Sequence, residues 1–327
     1  MRLSRRQLLR LVSLAGVNAL VGGACTPEPR AAERSPQRPA ASRVALVRGE
    51  ERYGLIRRAL SLIEADVAPQ LAGRQIVIKP NFVTVRRQLA ATHAEAVRAV
   101  LDFLRPLHPG RIIIAESPAD GTAAQGYANY GYEALAGHDV SLQDLDQAGS
   151  QTLAVLDGQF RPQPIQVSRL LLDPASYVIS VGPMKTHDCV VATLSLKNVV
   201  MGAPLKLAAG SEKRKVHQGP QAINLNLFLL AQHLRPHLSV IDGFEAMEGN
   251  GPSQGTPVSA RVAIASTDFL AADCTALAVM GIPLERVGYL AHCAAIGMGQ
   301  ADVAKMAIVG ERLERCRRPF RLHERFQ

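Results

Sequence analysis

The chain has 327 residues, a 47% hydrophobic share and no Trp, which is enough apolar sequence for one large core or two smaller ones. Aromatics make up only 4%, too few for a base-stacking platform, and the net charge of +9 sits at the ends: +6 in residues 1–43, +3 in 311–327, and 23 basic against 23 acidic residues between them. A nucleic-acid partner is not expected, because such a reader carries its basic stripe on the fold itself.

The first segment, 1–25, has the form of an export signal. A basic start is followed by an apolar run from Leu11 to Val21, short for a membrane span and suited to a signal core. Ser4-Arg5-Arg6-Gln7-Leu8-Leu9 resembles a twin-arginine signal, with a general secretory leader as the alternative. Twin-arginine export implies the translocase as a transient partner and a location in the periplasm or at the outer face of the cytoplasmic membrane. Gly23-Ala24-Cys25 resembles a lipoprotein cleavage box, although Gly22 stands where Leu is usual. Lipidation of Cys25 would anchor the protein; cleavage after Ala24 or further on would leave it free. Residues 26–42, with four Pro and no large aliphatics, read as a flexible linker.

From residue 43 to 310 apolar strands alternate with amphipathic helices. Val44–Val47, Gln75–Ile78, Arg111–Ala115, Val140–Leu145, Tyr177–Val181, Leu238–Ile241, Val262–Ala265 and Met306–Val309 read as strands. Helical spacing covers Gly54–Val67, a segment from Thr92 to about Leu104, Gly131–Ala136 and Asp268–Met280. Thr92 and Glu95 have the spacing of a capping box. Leu153–Val167 reads as a hairpin turning at Asp157-Gly158. The expected fold is therefore α/β: three αβα layers around a largely parallel or mixed sheet. Residues 311–327 read as a basic tail, a helix or a loose end.

The polar residues that matter stand at strand ends, where open α/β sheets bind their ligands. Lys79 and Asn81 follow one strand, Glu116 another, Lys185 and His187 a third, and Asp242 a fourth. Each has a bland alternative, such as a strand-end Lys reaching solvent or an Asp capping a turn. Convergence on one rim is what would make them a site. Lys197 and Asn198, in an otherwise apolar stretch ending at Gly202, read either as ligand groups or as the polar end of a helix. Lysines supply the charge for an anionic small-molecule ligand. His187 is a candidate general base, and Lys185 two residues before it disfavours a metal held by His187 alone. His217 is a second imidazole or a loop residue. Asp242 and Glu248 are candidates for proton transfer, and with Glu116 for a divalent metal through oxygen ligands. The loop after Glu248 is rich in Gly and Pro and is broken by Pro252 and Pro257, so it is no dinucleotide fingerprint, although its backbone N–H groups could face an anion. Cys189 reads as a small buried side chain, with a thiolate as the alternative.

The five Cys, at 25, 189, 274, 293 and 316, contain no CxxC pair, so neither a zinc ribbon nor an iron–sulfur cluster is expected, and an odd, scattered set is no disulfide framework. One disulfide between distant Cys stays open.

These runs together are similar to the domain of unknown function 362 family. The resemblance rests on IVIKPNF, Ala91 to His93, Glu116 to Pro118, MKTH, LSLKN with Gly202, the His217 region, IDGFEAMEGNGPSQGTP, and Asp268 with Asp273. It covers roughly residues 44 to 300. Some members carry an added ferredoxin-like domain; this sequence lacks its Cys motifs, so that redox role is not implied. The resemblance names no reaction. The sequence supports an enzyme acting on an anionic small molecule with His187, Asp242 and Glu248 catalytic, and as the alternative a non-catalytic anion-binding or scaffold protein.

Overall fold

The computed structural model describes residues 41–327. The twin-arginine motif, Cys25 and nearly all of the linker lie outside the described residues.

Apolar runs of five or six residues with both faces covered dictate the sheet, and amphipathic runs between them dictate its covering. In chain order the elements are β1 (Arg43–Arg48), helix α1 (Arg52–Ser61), β2 (Gln75–Lys79), α2 (Ala94–Leu104), β3 (Ile112–Glu116), α3 (Ala123–Asn129) and β4 (Val140–Asp144). Then come β5 (Ser150–Leu156), β6 (Pro162–Ser168), β7 (Ser176–His187), β8 (Val191–Thr193), α4 (Ser195–Gly202), β9 (Lys206–Leu207), β10 (Gly210–Ser211) and α5 (Pro220–Ala231). The last are β11 (Leu238–Glu248), β12 (Thr256–Val258), β13 (Val262–Ser266), α6 (Phe269–Met280), α7 (Gly288–Ala295) and β14 (Ala307–Gly310).

The main sheet runs β14-β1-β13-β11-β7-β2-β3-β4, with β12 and β8 paired at the ends of β11 and β7. β11, β7, β2, β3 and β4 are parallel to one another, while β13 is antiparallel to both β11 and β1, so the sheet is mixed. Side-chain alternation separates the two faces. Ile76, Ile78, Ile112, Ile114, Tyr177 and Ile179 pack with α1, α2 and α3; Val77, Ile113, Ala115, Val178 and Ile241 pack with α4 to α7. These are the three expected layers. β5 and β6 form the separate hairpin expected around Asp157-Gly158.

Several local readings change. β7 and β11 run on past their apolar cores to His187 and Glu248, because β8 and β12 continue the pairing as short antiparallel partners. Thr92 does not cap α2: its hydroxyl donates to Val181 O and accepts from Asn81 N, and His93 is the N-cap instead. Residues 311–327 are no loose end. Arg318 N and Phe320 N donate to Val279 O and Met280 O at the end of α6, and Cys316 is buried. Cys189, Cys274, Cys293 and Cys316 are all free thiols. No helix of the described residues is long and apolar enough to cross a membrane.

Candidate functional site

The parallel order β7-β2-β3 brings the ends of these strands together, and a buried polar network forms there. Lys79, 1% exposed, donates from Nζ to Glu116 Oε2 at 2.7 Å, to Pro80 O at 2.7 Å and to Asn198 Oδ1 at 3.3 Å. Glu116 also accepts from the Phe82 and Ser117 amides, so both of its oxygens are engaged. Asn198 returns its amide to Lys79 O and Ser180 Oγ, and its oxygen also accepts from Asn81 Nδ2. Asn81 Oδ1 accepts from Lys185 Nζ at 2.6 Å, and Lys185 spends a second donor on Ala90 O. Buried polar groups must be paired, and these are. Lys79, Asn81, Glu116, Lys185 and Asn198 therefore do converge on one rim.

Helix α4 delivers Asn198 and Lys197. Its first two amides, Ser195 N and Leu196 N, donate to the buried Asp273 carboxylate on α6, which fixes the helix start. Lys197 and Asn198 thus lie near the beginning of a helix rather than at its polar end. At the other end Gly202 does more than stop the helix. A Cβ there would overlap Lys79 Cε, so a larger residue would push the end of the lysine away from its partners. Lys213, in the polar run after β10, places Nζ on the carbonyls of Met201, Gly202 and Pro204 and closes the C-terminal end of α4.

Beside this network lies a cavity of 330 Å³ lined by Lys79, Glu116, Lys197, Lys213, His187 and His217, among others. Lys197 is 7% exposed, and among the described residues its ammonium has no hydrogen-bond or ion-pair partner. Burial lowers its pKa to about 8, opposed by the charge of Asp188. Burial likewise lowers Lys213 to about 7 and holds Lys185 well below the ordinary lysine range, the latter aided by Lys197.

His187 is 3% exposed; its Nδ1 lies 2.9 Å from Asp188 Oδ1 and 3.0 Å from Cys189 N, so the Nδ1–H tautomer donates to the carboxylate and the Nε2–H tautomer accepts from the amide. Two polar groups on one ring edge fix the orientation of the imidazole. Burial, then the charge of Lys197, lowers its pKa to about 3, so it is neutral at physiological pH. The lysine that acts on His187 is therefore Lys197; Lys185, two residues away in sequence, is turned toward Asn81. The His217 ring stands 6.1 Å from the His187 ring between centroids. Cys189 is raised to about 11 by burial, which leaves it a thiol and no nucleophile.

The later carboxylates are elsewhere. Side-chain alternation turns Asp242 to the α1 face, where its Oδ2 accepts from Arg52 Nε at 2.9 Å and its Oδ1 from Phe244 N. Burial raises its pKa, opposed by Arg52. Glu248 accepts from Arg321 N at 3.0 Å and ties down the C-terminal segment. Glu116, Asp242 and Glu248 thus serve three separate partners, and the structure does not assemble them as a metal set. Nor does it bring Asp242 and Glu248 to His187 as a catalytic group. Among the described residues the one group of three or more His, Cys, Asp or Glu whose ligand atoms lie within 4.8 Å of one another is His187, Asp188 and His217. The loop after Glu248 spends Gly249 N on Arg321 O of the C-terminal segment and Gly251 N on Gly249 O, so these amides do not face an anion. Asp188 and Lys213 were not visible as site residues in the sequence. The adjacency of Asp188 to a strand-end His was the available signal for the first; nothing local marks the second.

A protein from Synechocystis sp., thylakoid-associated protein sll1697, is 29% identical over 209 residues, covering 62% of this chain. The chain spans 61% of that curated relative's length. A crystal structure of a Thermotoga maritima protein aligns with a TM-score of 0.43 at 12% identity, over 68% of this chain and 57% of that one. A family model, described as domain of unknown function (DUF362), matches residues 76–278, more than half of the chain, and the protein belongs to that family.

Proposed function

We propose that this protein binds a small anionic molecule, of phosphate or carboxylate chemistry, in the cavity beside α4, and that His187 moves a proton to or from it. The observation that carries the reading is Lys197. A largely buried cation without a direct partner costs stability, and a bound anion is what offsets that cost. The neighbouring groups point the same way, since Lys79 and Glu116 neutralise each other, and Lys213, lowered to about 7 by burial, is a second cavity lysine with no carboxylate partner among the described residues. His187, neutral and oriented by Asp188, has the protonation state of a general base. The non-catalytic alternative draws support from Lys79, whose three donors are all spent on Pro80 O, Glu116 and Asn198, as in a purely structural frame.

Calorimetric titration with inorganic phosphate and with succinate tests the reading. One of the two is expected to bind at one site per chain, and Lys197→Met to weaken it roughly 100-fold. Unaltered binding in that variant would overturn the assignment.

We further propose that the mature protein lies outside the cytoplasmic membrane, exported by the twin-arginine route and held at the membrane through lipidated Cys25. The signal-like segment supports this, and the Synechocystis relative is named for association with a membrane system. Mass spectrometry of the mature N-terminus decides it; an unmodified Cys25, or a start beyond it, rejects the anchor.

A further inference from the structure

We infer that His187, Asp188 and His217 form a binding site for one divalent transition-metal ion at the wall of the anion cavity. The three side chains come from the end of β7 and from the segment before α5, thirty residues apart at the extremes, and their ligand atoms already lie within 4.8 Å of one another. The closest pair, His187 Nδ1 and Asp188 Oδ1, stands 2.9 Å apart. Ligands at about 2.0–2.2 Å from one tetrahedral ion stand about 3.4 Å from each other, so rotamer-scale movement closes the set. His187 and His217 both line the cavity, which leaves the remaining coordination positions facing the space that Lys197 also faces.

The donor chemistry narrows the ion. Two imidazoles with one carboxylate suit zinc, iron(II) or cobalt(II), whereas magnesium and calcium take oxygen-rich sets. A proton relay needs only the His187–Asp188 pair. A second imidazole with its ring centroid 6.1 Å from the first adds nothing to such a relay, but it completes three ligands. Lys197 opposes a bound dication, and Asp188 offsets that in part. An anion in the cavity would answer both cations, so the metal reading keeps the anion, but a ligating His187 no longer carries the proton and the metal replaces it in that role. The inference rests on the anion-binding reading for its purpose, though not for its geometry.

The test uses the full chain, stripped by a chelator and titrated with cobalt(II) in buffer free of phosphate and carboxylates. One equivalent is expected to bind, with visible absorption from a low-coordinate site. His217→Ala and Asp188→Asn, both at positions with solvent exposure, are expected to weaken binding by more than about 100-fold, beyond what loss of a merely supporting partner costs. Lys197→Met should bind cobalt at least as well as the parent chain. Absence of stoichiometric binding, or binding that survives both ligand variants, or binding lost in Lys197→Met, overturns the site. Phosphate and succinate titration of the metal-free protein separates the two readings. If the anion binds there and cobalt does not, the metal inference alone fails; if cobalt binds and neither anion does, the anion reading alone fails.

Discussion

Two clusters of charge stand at the ends of the parallel strands, one at β11 and one at β2 and β3, on opposite faces of the sheet, and they differ in whether their charges are matched. On the α1 face Asp242 pairs with Arg52, whose guanidinium also lies over the Phe244 ring at 4.9 Å and 3.9 Å from Glu95. Each charge there has an opposite, and the cluster is closed. On the α4 face Lys79 and Glu116 form one matched pair, and beside it Lys197 faces a cavity alone. Strand-end charges of similar types thus serve as a structural clamp on one face and as a binding surface on the other. What distinguishes them is the unpaired member, since a protein gains nothing in stability from burying one.

Breaking the matched pair on the α4 face gives the largest expected effect. Glu116→Gln leaves the buried Lys79 ammonium without its anion, and denaturant unfolding should show a loss of about 3–5 kcal/mol. A loss below 1 kcal/mol would mean that Lys79 is readily neutralised. Lys197→Met should do the opposite. Removing an unpaired buried charge should raise stability by about 1–3 kcal/mol, while anion affinity falls roughly 100-fold. A variant that is both less stable and still binds would place Lys197 in the frame rather than the site. Asp242→Asn sharpens the contrast from the closed side. It should cost about 1–2 kcal/mol, because Arg52 is left nearly buried without its partner, and anion binding should be untouched. A matching loss of affinity would show that the two faces act as one site.

The fold was legible because strand cores such as Ile76–Ile78 and Ile112–Ala115 are continuous apolar runs, and nothing else buries such runs on both faces. The convergence of Lys79, Asn81, Glu116 and Lys185 was legible for the same reason, since it follows from parallel order alone. The face of the sheet was not. Whether Asp242 points toward α4 or α1 depends on which residues of β11 pair with β7, and the period of two makes one step decisive. Glu248 was misplaced because its partner, Arg321, is 73 residues away in a segment with no apolar pattern. Lys197 was recognised as polar within apolar sequence, but its lack of a partner is a property of the packed structure. His217 and Asp188 could be paired only after the chain between β10 and α5 had been placed.

The most gradual expected effect is a pH dependence, and its sign is opposite to that of a lysine in an ordinary salt bridge. In the folded chain burial holds Lys197 near 8, against an unfolded value near 10.5. Between those values the unfolded chain binds the additional proton, so stability rises with pH, by up to about 1.4 kcal/mol per unit for this group. The gain is absent below pH 8 and complete above 10.5. Lys213, near 7, adds a slope of the same sign that begins lower. Thermal unfolding from pH 7.5 to 9.5, without metal or anion, should therefore show an increasing midpoint in the parent chain and a flatter one in Lys197→Met. A saturating anion should flatten the parent in the same way, because it holds Lys197 charged in the folded state and brings its two pKa values together. Equal slopes in parent and variant would mean that Lys197 finds water or a counter-ion in solution, and the contrast between the open and closed faces would lose its energetic basis.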